Sequence, residues 1–155
     1  MIDTDLSVHI HESNLIEGYD SEIADAQSIM AWEWLLEQPK LNKRVVCQLQ
    51  KRIVHHQDDL KPEWRGKYRT IPVYIGGREA MHYQFINQAM TAWLHNMPGT
   101  KPHEHHVAFE KIHPFVDGNG RTDRMLMWWQ QIKVKGITPT LIYYKDRADY
   151  YRWFK

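Results

Sequence analysis

The sequence has little of what would mark an extracellular, membrane-embedded or nucleic-acid-binding protein. Its 155 residues contain one cysteine, Cys47, which cannot form an internal disulfide, so we expect a reducing compartment and a cytoplasmic location. No apolar run approaches the ~20 residues that span a bilayer, and no signal-peptide pattern opens the chain, so we expect no membrane partner. The formal net charge of +1 argues against nucleic acid as the main partner.

The sequence does contain enough apolar residues for one buried core. The hydrophobic fraction is 43% and the charged fraction 25%, which disfavours disorder. The length suits a single domain over residues 1–155. Apolar residues recur at helical spacing and predict three helices, marked by Ile23, Ala26, Met30 and Trp34, by Leu41, Val45, Leu49 and Ile53, and by Phe85, Ala89 and Trp93.

The second half of the chain also reads as helical. Residues 100–112 are predicted to form a helix capped by Thr100, and residues 145–153 a final one. A helix that begins near Asn119 is apolar on almost all sides from Met125 to Val134. This pattern is typical of the central buried helix of a bundle.

One stretch, residues 68–83, breaks the helical pattern. Ile71, Val73 and Ile75 precede the pair Gly76-Gly77, which permits a tight turn. The sequence therefore predicts a β-hairpin here.

The run from His113 to Arg124 reads His-Pro-Phe-Val-Asp-Gly-Asn-Gly-Arg-Thr-Asp-Arg and joins two predicted helices. Gly118 and Gly120 leave backbone N–H groups free to face an anion at the start of the second helix. Arg121 and Arg124 share one face of its first turn, where cations are unfavourable unless an anion compensates them.

Two further side chains of this run carry chemistry. Asp117 can hold a hard divalent cation such as Mg²⁺ against phosphate oxygens. His113 ends the preceding predicted helix, and an imidazole suits a general base because it is partly deprotonated at neutral pH. The run therefore predicts a nucleotide-handling site.

The run resembles the signature of the Fic family of adenylyl transferases, His-x-Phe-x-Asp/Glu-Gly-Asn-Gly-Arg-x-x-Arg, and every fixed position matches. The resemblance implies an all-α Fic fold, a compact helical bundle with a short β-hairpin flap beside the active site. It implies transfer of AMP from ATP to a Ser, Thr or Tyr hydroxyl of a target protein. The implied roles are His113 as base, Phe115 as anchor, Asp117 as Mg²⁺ ligand, Gly118, Asn119 and Gly120 as anion hole, and Arg121 and Arg124 as ligands of the outer phosphates.

A second match lies near the start of the chain. Ser13 to Gly18 reads Ser-Asn-Leu-Ile-Glu-Gly and resembles the family's inhibitory motif, Ser/Thr-x-x-x-Glu-Gly/Asn. The resemblance implies an inhibitory helix over about residues 10–20, N-terminal to the catalytic core. Its Glu17 would pair with Arg124 and occupy the guanidinium that the γ-phosphate needs.

Two features leave alternatives open. Asp123 stands where many family members carry a small residue. Facing inward it would weaken triphosphate binding, and otherwise it would face solvent or pair with a neighbouring base. The hairpin is either an ordinary surface element or, as the resemblance implies, a flap whose Ile71, Val73 and Ile75 hold the target as an added strand.

The resemblance leaves the reaction open within one fold. Other donors would give transfer of UMP, phosphocholine or phosphate, and in AMP removal Glu17 would position a water. A nucleotide-binding regulatory module without catalysis is a reading of another class. We expect a protein target and ATP as partners. We also expect that the protein can modify itself and can form homo-oligomers. The spacing of His103, His105 and His106 does not converge on zinc, and we expect these side chains to be solvated or core-facing.

Overall fold

The structure, a computed structural model, describes residues 1–155 and is mostly helical. Its helices are α1 (Ser7–Ile16), α2 (Glu22–Leu36), α3 (Lys43–Ile53), α4 (Ile86–Asn96), α5 (Pro102–Ile112), α6 (Asn119–Trp129) and α7 (Arg147–Tyr151). Short 3₁₀ turns join several of them. None of the helices is both long enough and apolar enough to cross a membrane.

Between α3 and α4 the chain forms the predicted hairpin. Strands β1 (Tyr74–Ile75) and β2 (Arg78–Glu79) pair antiparallel, with Tyr74 opposite Glu79. The turn residues Gly76 and Gly77 have φ of 55° and 80°, which side chains with a Cβ rarely adopt. The prediction of a hairpin is confirmed, although its paired part is shorter than residues 68–83.

Helix α6 is the centre of the bundle. Each residue from Arg121 to Gln131 is buried, and α6 contacts α1, α2, α3 and α5. The helix continues as a π-helical turn, Gln130–Lys135, and ends at Gly136. The prediction of a central buried helix is confirmed. It also positions the site, because the first two turns of α6 carry both arginines of the signature run.

The predicted helices α2 and α4 form, but not all of the residues that mark them are buried. Ile23 and Met30 are 65% and 66% exposed, and Phe85, which precedes α4, is 57% exposed. Trp93 is buried as the helical pattern predicts. The buried face of α2 consists of Ala24, Ser28, Ala31, Trp32 and Leu35, and that of α4 of Ile86, Met90 and Trp93. Helix α2 has apolar residues on both sides. The side with small residues is buried, because α1 approaches it closely enough for Ser28 Oγ to reach Asn14 Oδ1 at 3.4 Å.

Two helix boundaries also differ from expectation. Thr100 does not cap α5, because its hydroxyl donates to the Asn96 carbonyl at 2.7 Å and Lys101 precedes the first turn without a side-chain cap. The last helix is limited to Arg147–Tyr151 and lies between two 3₁₀ turns.

The histidines of α5 are packed among aromatic rings. His105 and His106 are buried, and the ring of His105 stacks on Trp93 with centroids 4.0 Å apart. The ring of His103 lies 4.0 Å from that of Trp153. Burial lowers the pKa of His105 from 6.5 to about 4 and that of His106 to about 3.

These buried histidines predict acid sensitivity of the fold. Below pH 6.5 the His105 side chain is protonated in the unfolded chain but stays neutral in the folded one. The free energy of unfolding therefore falls as the pH drops from 6.5 towards 4. Each group contributes up to about 1.4 kcal/mol per pH unit. In urea unfolding at pH 7 and pH 5, we expect His105→Phe to lose less stability than the parent. His95→Phe, at an exposed position of α4, is the matched control. Equal losses in the parent and in His105→Phe would contradict the assignment.

Candidate active site

The signature run forms the connection between α5 and α6. His113 ends α5 in the left-handed conformation, with φ 50° and ψ 63°, and is the one non-glycine residue of the chain with positive φ. Its side chain is 21% exposed, so the imidazole reaches the surface of the site. A backbone held in this region costs energy and has to be fixed by its surroundings.

Arg69 supplies part of that fixation. Its buried guanidinium donates to the carbonyls of His113 at 2.7 Å and Ile112 at 3.3 Å. It also donates to the carbonyls of Ile71 and Met81, on either side of the hairpin. One cation therefore binds two carbonyls at the end of α5 and links both ends of the hairpin to the start of the signature run.

Phe115 and Asn119 hold the conformation of the loop between α5 and α6 through buried contacts. Phe115 is fully buried and its ring lies 5.7 Å from that of Tyr68. The Asn119 amide accepts from the Phe115 N–H at 2.9 Å and donates to the Phe115 carbonyl at 2.8 Å. The Asn119 side chain is thus occupied in holding the loop. The backbone N–H groups at the start of α6 can form an anion hole, because the first helical bond there runs from Thr122 N–H to the Gly118 carbonyl.

Asp117 is held by two glutamines that the sequence analysis did not single out. Gln57 donates to Asp117 Oδ2 at 2.7 Å, and Gln50 donates to the Asp117 carbonyl at 3.1 Å. The Gly118 N–H donates to Asp117 Oδ1 at 2.7 Å. The carboxylate is therefore oriented before any cation binds.

Arg121 is buried and points towards the same glutamine. It donates to Gln57 Oε1, and its Nη1 lies 2.8 Å from His56 Nε2. Burial lowers the pKa of His56, which favours the neutral ring that can accept from a guanidinium. Gln57 thus bridges the acidic and the basic group of the site. The ring of Tyr19 covers the Arg121 guanidinium at 4.3 Å.

Arg124 is held mainly by residues of the predicted inhibitory motif. Its Nε donates to Ser13 Oγ at 2.7 Å, and its Nη2 donates to the Ser13 carbonyl at 3.2 Å and to Glu17 Oε1 at 2.6 Å. Nη1 donates to the Tyr150 hydroxyl at 3.1 Å. A guanidinium has about five N–H donors. Little donor capacity is therefore left for a phosphate while Glu17 is bound.

The end of α1 has the geometry that lets its residues reach both arginines. Gly18, with φ 84°, follows the helix, and Tyr19 N–H bonds to the Asn14 carbonyl at 2.9 Å. With the bond from Gly18 N–H to the Leu15 carbonyl, this is a Schellman motif. Gly120 of α6 leaves room for the contact, because a Cβ there would overlap with Glu17 Oε1.

Helix α1 is anchored to α2 by polar contacts. The buried Asn14 donates to Asp25 Oδ1 at 2.8 Å, and His11 Nδ1 lies 2.7 Å from Asp25 Oδ2. The hydrogen bond to Asp25 raises the pKa of His11. The structure thus brings Ser13 and Glu17 into contact with Arg124 of the signature run, while Gly18 lies in the turn that ends α1.

Asp123 is not solvent-facing. It is fully buried, and its Oδ2 lies 2.8 Å from His106 Nδ1 of α5. Of the alternatives drawn from the sequence, pairing with a neighbouring base describes its position. The carboxyl group faces α5 and not the side on which Glu17 meets Arg124.

The predicted docking residues of the hairpin are only partly exposed. Ile75 is 46% and Ile71 is 36% exposed, and Val73 accepts a hydrogen bond from Ala80 N–H at 2.9 Å. Their connection to the site runs through Arg69.

Comparison with known proteins settles the family. The sequence profile described as the Fic/DOC family matches residues 40–131, which include the hairpin and the signature run. The chain belongs to the Fic/DOC family. Helix α1 lies outside the matched residues.

Similar proteins carry the same family name. The protein adenylyltransferases Fic of Drosophila grimshawi and Drosophila ananassae are each 28% identical to this Fic protein in an alignment of 130 residues that covers 78% of its chain. The chain spans about a quarter of their length, 26% and 25% respectively.

Solved structures agree on the fold. A Fic-domain-containing signaling protein from Bacteroides thetaiotaomicron superposes with a TM-score of 0.73 at 19% identity, covering 95% of this chain and 69% of that one. Fic-1 from C. elegans gives a TM-score of 0.73 at 18% identity, covering 98% and 55%. The expected Fic fold is confirmed.

The packing around Gly118 predicts a steric requirement at the start of α6. Gly118 has φ 79°, and a Cβ there would lie 2.6 Å from Val54 Cγ1. We expect Gly118→Ala to lower the free energy of unfolding by about 2–4 kcal/mol, since strain and overlap add. Gly136→Ala, with φ 63° and open space around it, should cost only about 1–2 kcal/mol.

Urea unfolding of Gly118→Ala and Gly136→Ala separates the cost of the positive φ from the cost of the overlap with Val54. Adding Val54→Ala to Gly118→Ala should recover part of the loss, which a double-mutant cycle measures. Additive effects of the two substitutions would show that the Val54 contact is not the cause.

Proposed function

We propose that this Fic protein transfers AMP from ATP to a Ser, Thr or Tyr hydroxyl of a target protein, and that α1 restrains it through Glu17. The observation that carries the proposal is the 2.6 Å contact between Glu17 Oε1 and Arg124, in a site whose other signature residues are in place. Arg124 is 1% exposed and Glu17 is the one carboxylate in contact with it. A buried guanidinium needs a counter-anion, and the γ-phosphate of ATP and the Glu17 carboxylate compete for that position.

The residues of the site divide the reaction between them. The His113 imidazole takes the proton of the target hydroxyl as its oxygen forms a bond to the α-phosphorus. The bond from the α-phosphorus to the oxygen bridging to the β-phosphate breaks, and pyrophosphate leaves. Arg121 and Arg124 hold the outer phosphates, and the backbone N–H groups at the start of α6 face the phosphate oxygens. Positioning and charge stabilisation supply most of the rate.

The residues present fit a magnesium ion that binds together with ATP. No group of three or more His, Cys, Asp or Glu side chains is arranged to hold a metal on protein ligands alone. Mg²⁺ commonly uses one or two carboxylates, with phosphates and waters completing its shell. Asp117 would hold it, oriented by Gln57, and the ion would neutralise charge on the phosphates.

The hairpin belongs to the same proposal as the docking edge for the target. Arg69 ties its two ends to the carbonyls of Ile112 and His113, so a strand added to it would stand in a fixed position relative to the base.

Releasing Glu17 should switch the activity on. With ATP labelled on its α-phosphate, Mg²⁺ and a cell lysate, we expect Glu17→Gly to label protein at least about tenfold more than the parent, because Arg124 becomes free to bind phosphate. Adding His113→Ala to Glu17→Gly should abolish the label. Glu37→Gly is the matched control, since Glu37 is an exposed glutamate that likewise follows the last residue of a helix.

The same variants separate the rival reactions. ATP should raise the melting temperature of Glu17→Gly more than that of the parent, because a ligand stabilises the state that binds it. ATP binding without label transfer would contradict adenylyl transfer. It would favour a reaction that uses UTP or a choline-containing donor, or the removal of AMP from a modified protein. Failure of both proteins to bind ATP, UTP or a choline-containing donor would overturn the enzyme reading.

A further inference from the structure

A second polar cluster lies where residues of α5, α6 and α7 meet, and it contacts Arg124 through Tyr150. It consists of His106, Glu110, Asp123 and Tyr150, which we call the relay cluster. His106, Asp123 and Tyr150 are 1%, 0% and 4% exposed. The mechanism above uses none of these groups, although burying them is costly unless they are paired.

The donor and the acceptor of each hydrogen bond from Arg124 through Tyr150 to His106 can be assigned. Arg124 can only donate, so the Tyr150 oxygen accepts from its Nη1 at 3.1 Å. The Tyr150 hydroxyl is then free to donate to His106 Nε2, 2.8 Å away. A neutral His106 therefore carries its proton on Nδ1, the atom that lies 2.8 Å from Asp123 Oδ2. Burial lowers the pKa of His106 to about 3, which keeps the ring neutral.

Asp123 and Glu110 are neighbouring carboxyl groups. Burial, with the Glu110 charge second, raises the pKa of Asp123 well above 3.8. Two carboxylates in contact do not both ionise at neutral pH, and the fully buried one is the better place for the shared proton. That proton supplies a donor among buried carboxyl oxygens that otherwise lack a partner, Asp123 Oδ1, Asp123 Oδ2 and Glu110 Oε1.

The second oxygen of Glu110 faces the catalytic histidine. Glu110 Oε2 lies 3.6 Å from His113 Nδ1, a buried ring nitrogen that has no other hydrogen-bond partner. The distance is long for a hydrogen bond, as is common in catalytic sites without substrate. Glu110 lies on the last turn of α5 and His113 directly follows that helix, so the two side chains leave the backbone only three residues apart.

We infer that Glu110 is a positioning residue for His113: its carboxylate accepts the Nδ1 proton, so that Nε2 is the free base, and a protonated Asp123 held by His106 and Tyr150 keeps Glu110 in place. The inference rests on the proposed function for its catalytic consequence. When Nε2 takes the proton of the target hydroxyl, the ring holds a proton on each nitrogen and the Glu110 charge stabilises it. No proton moves to Glu110, and the proton on Nε2 later returns to solvent.

The test compares conservative variants in the active Glu17→Gly background. Initial rates of label transfer to lysate protein, measured as ATP is varied, give an apparent kcat and an apparent KM for ATP. We expect Glu110→Gln to lower kcat at least about tenfold with KM for ATP nearly unchanged, because Glu110 touches no phosphate-binding group. Glu104→Gln, at an exposed position on α5, is the matched control.

Substitutions of Asp123 test where the proton lies. Asparagine has the shape of a protonated aspartate and donates one hydrogen bond while accepting another, so Asp123→Asn should keep more activity than Asp123→Leu, by about tenfold or more. Equal loss in both would overturn the assignment of a neutral Asp123.

A measurement independent of catalysis reads the tautomer directly. Nitrogen-15 NMR of the histidine rings at pH 7.5 should show the His113 proton on Nδ1 in the parent and a shift towards Nε2 in Glu110→Gln. An unchanged tautomer, or an activity loss in Glu110→Gln that merely follows a fall in melting temperature, would overturn the inference. If Glu17→Gly transfers no label, the proposed function fails and the NMR result alone decides the role of Glu110.

Discussion

The structure depends on one buried cation. The Arg124 guanidinium lies at the centre of the bundle with 1% of its surface exposed, and such a group is costly unless an anion and hydrogen-bond acceptors surround it. Ser13, Glu17 and Tyr150 supply these partners from the two ends of the chain. Helix α1 and helix α7 are therefore both attached to α6 through Arg124.

A complementary arrangement surrounds Arg121 and Asp117. Their opposite charges do not meet directly, because the amide of Gln57 stands between them and offers its oxygen to the cation and its nitrogen to the carboxylate. A direct ion pair would neutralise both groups. The interposed amide orients each one and leaves its charge available to a nucleotide and its metal ion.

The sequence predicts the parts of the site that are local in the chain. Residues 113–124 carry their geometry within one loop and one helical turn, so a linear pattern is enough to identify them. Gln57, Arg69, Tyr150 and Glu110 are ordinary residue types whose role depends on which elements meet, and no linear signal marks them. The same reason explains why the buried face of α2 could not be predicted, since apolar residues lie on both of its sides. The side with Ala24 and Ser28 is buried because α1 packs closely against it, and Ile23 and Met30 are left exposed.

The Schellman turn after α1 makes Ser13, Glu17 and Tyr19 parts of one rigid piece. Glu17 meets Arg124 while Tyr19 lies over Arg121, so neither arginine can be uncovered without disturbing the other contact. These residues therefore leave the two arginines together. On the proposed function, release of Arg121 and Arg124 is concerted, and the protein switches between two states without populating intermediate degrees of inhibition.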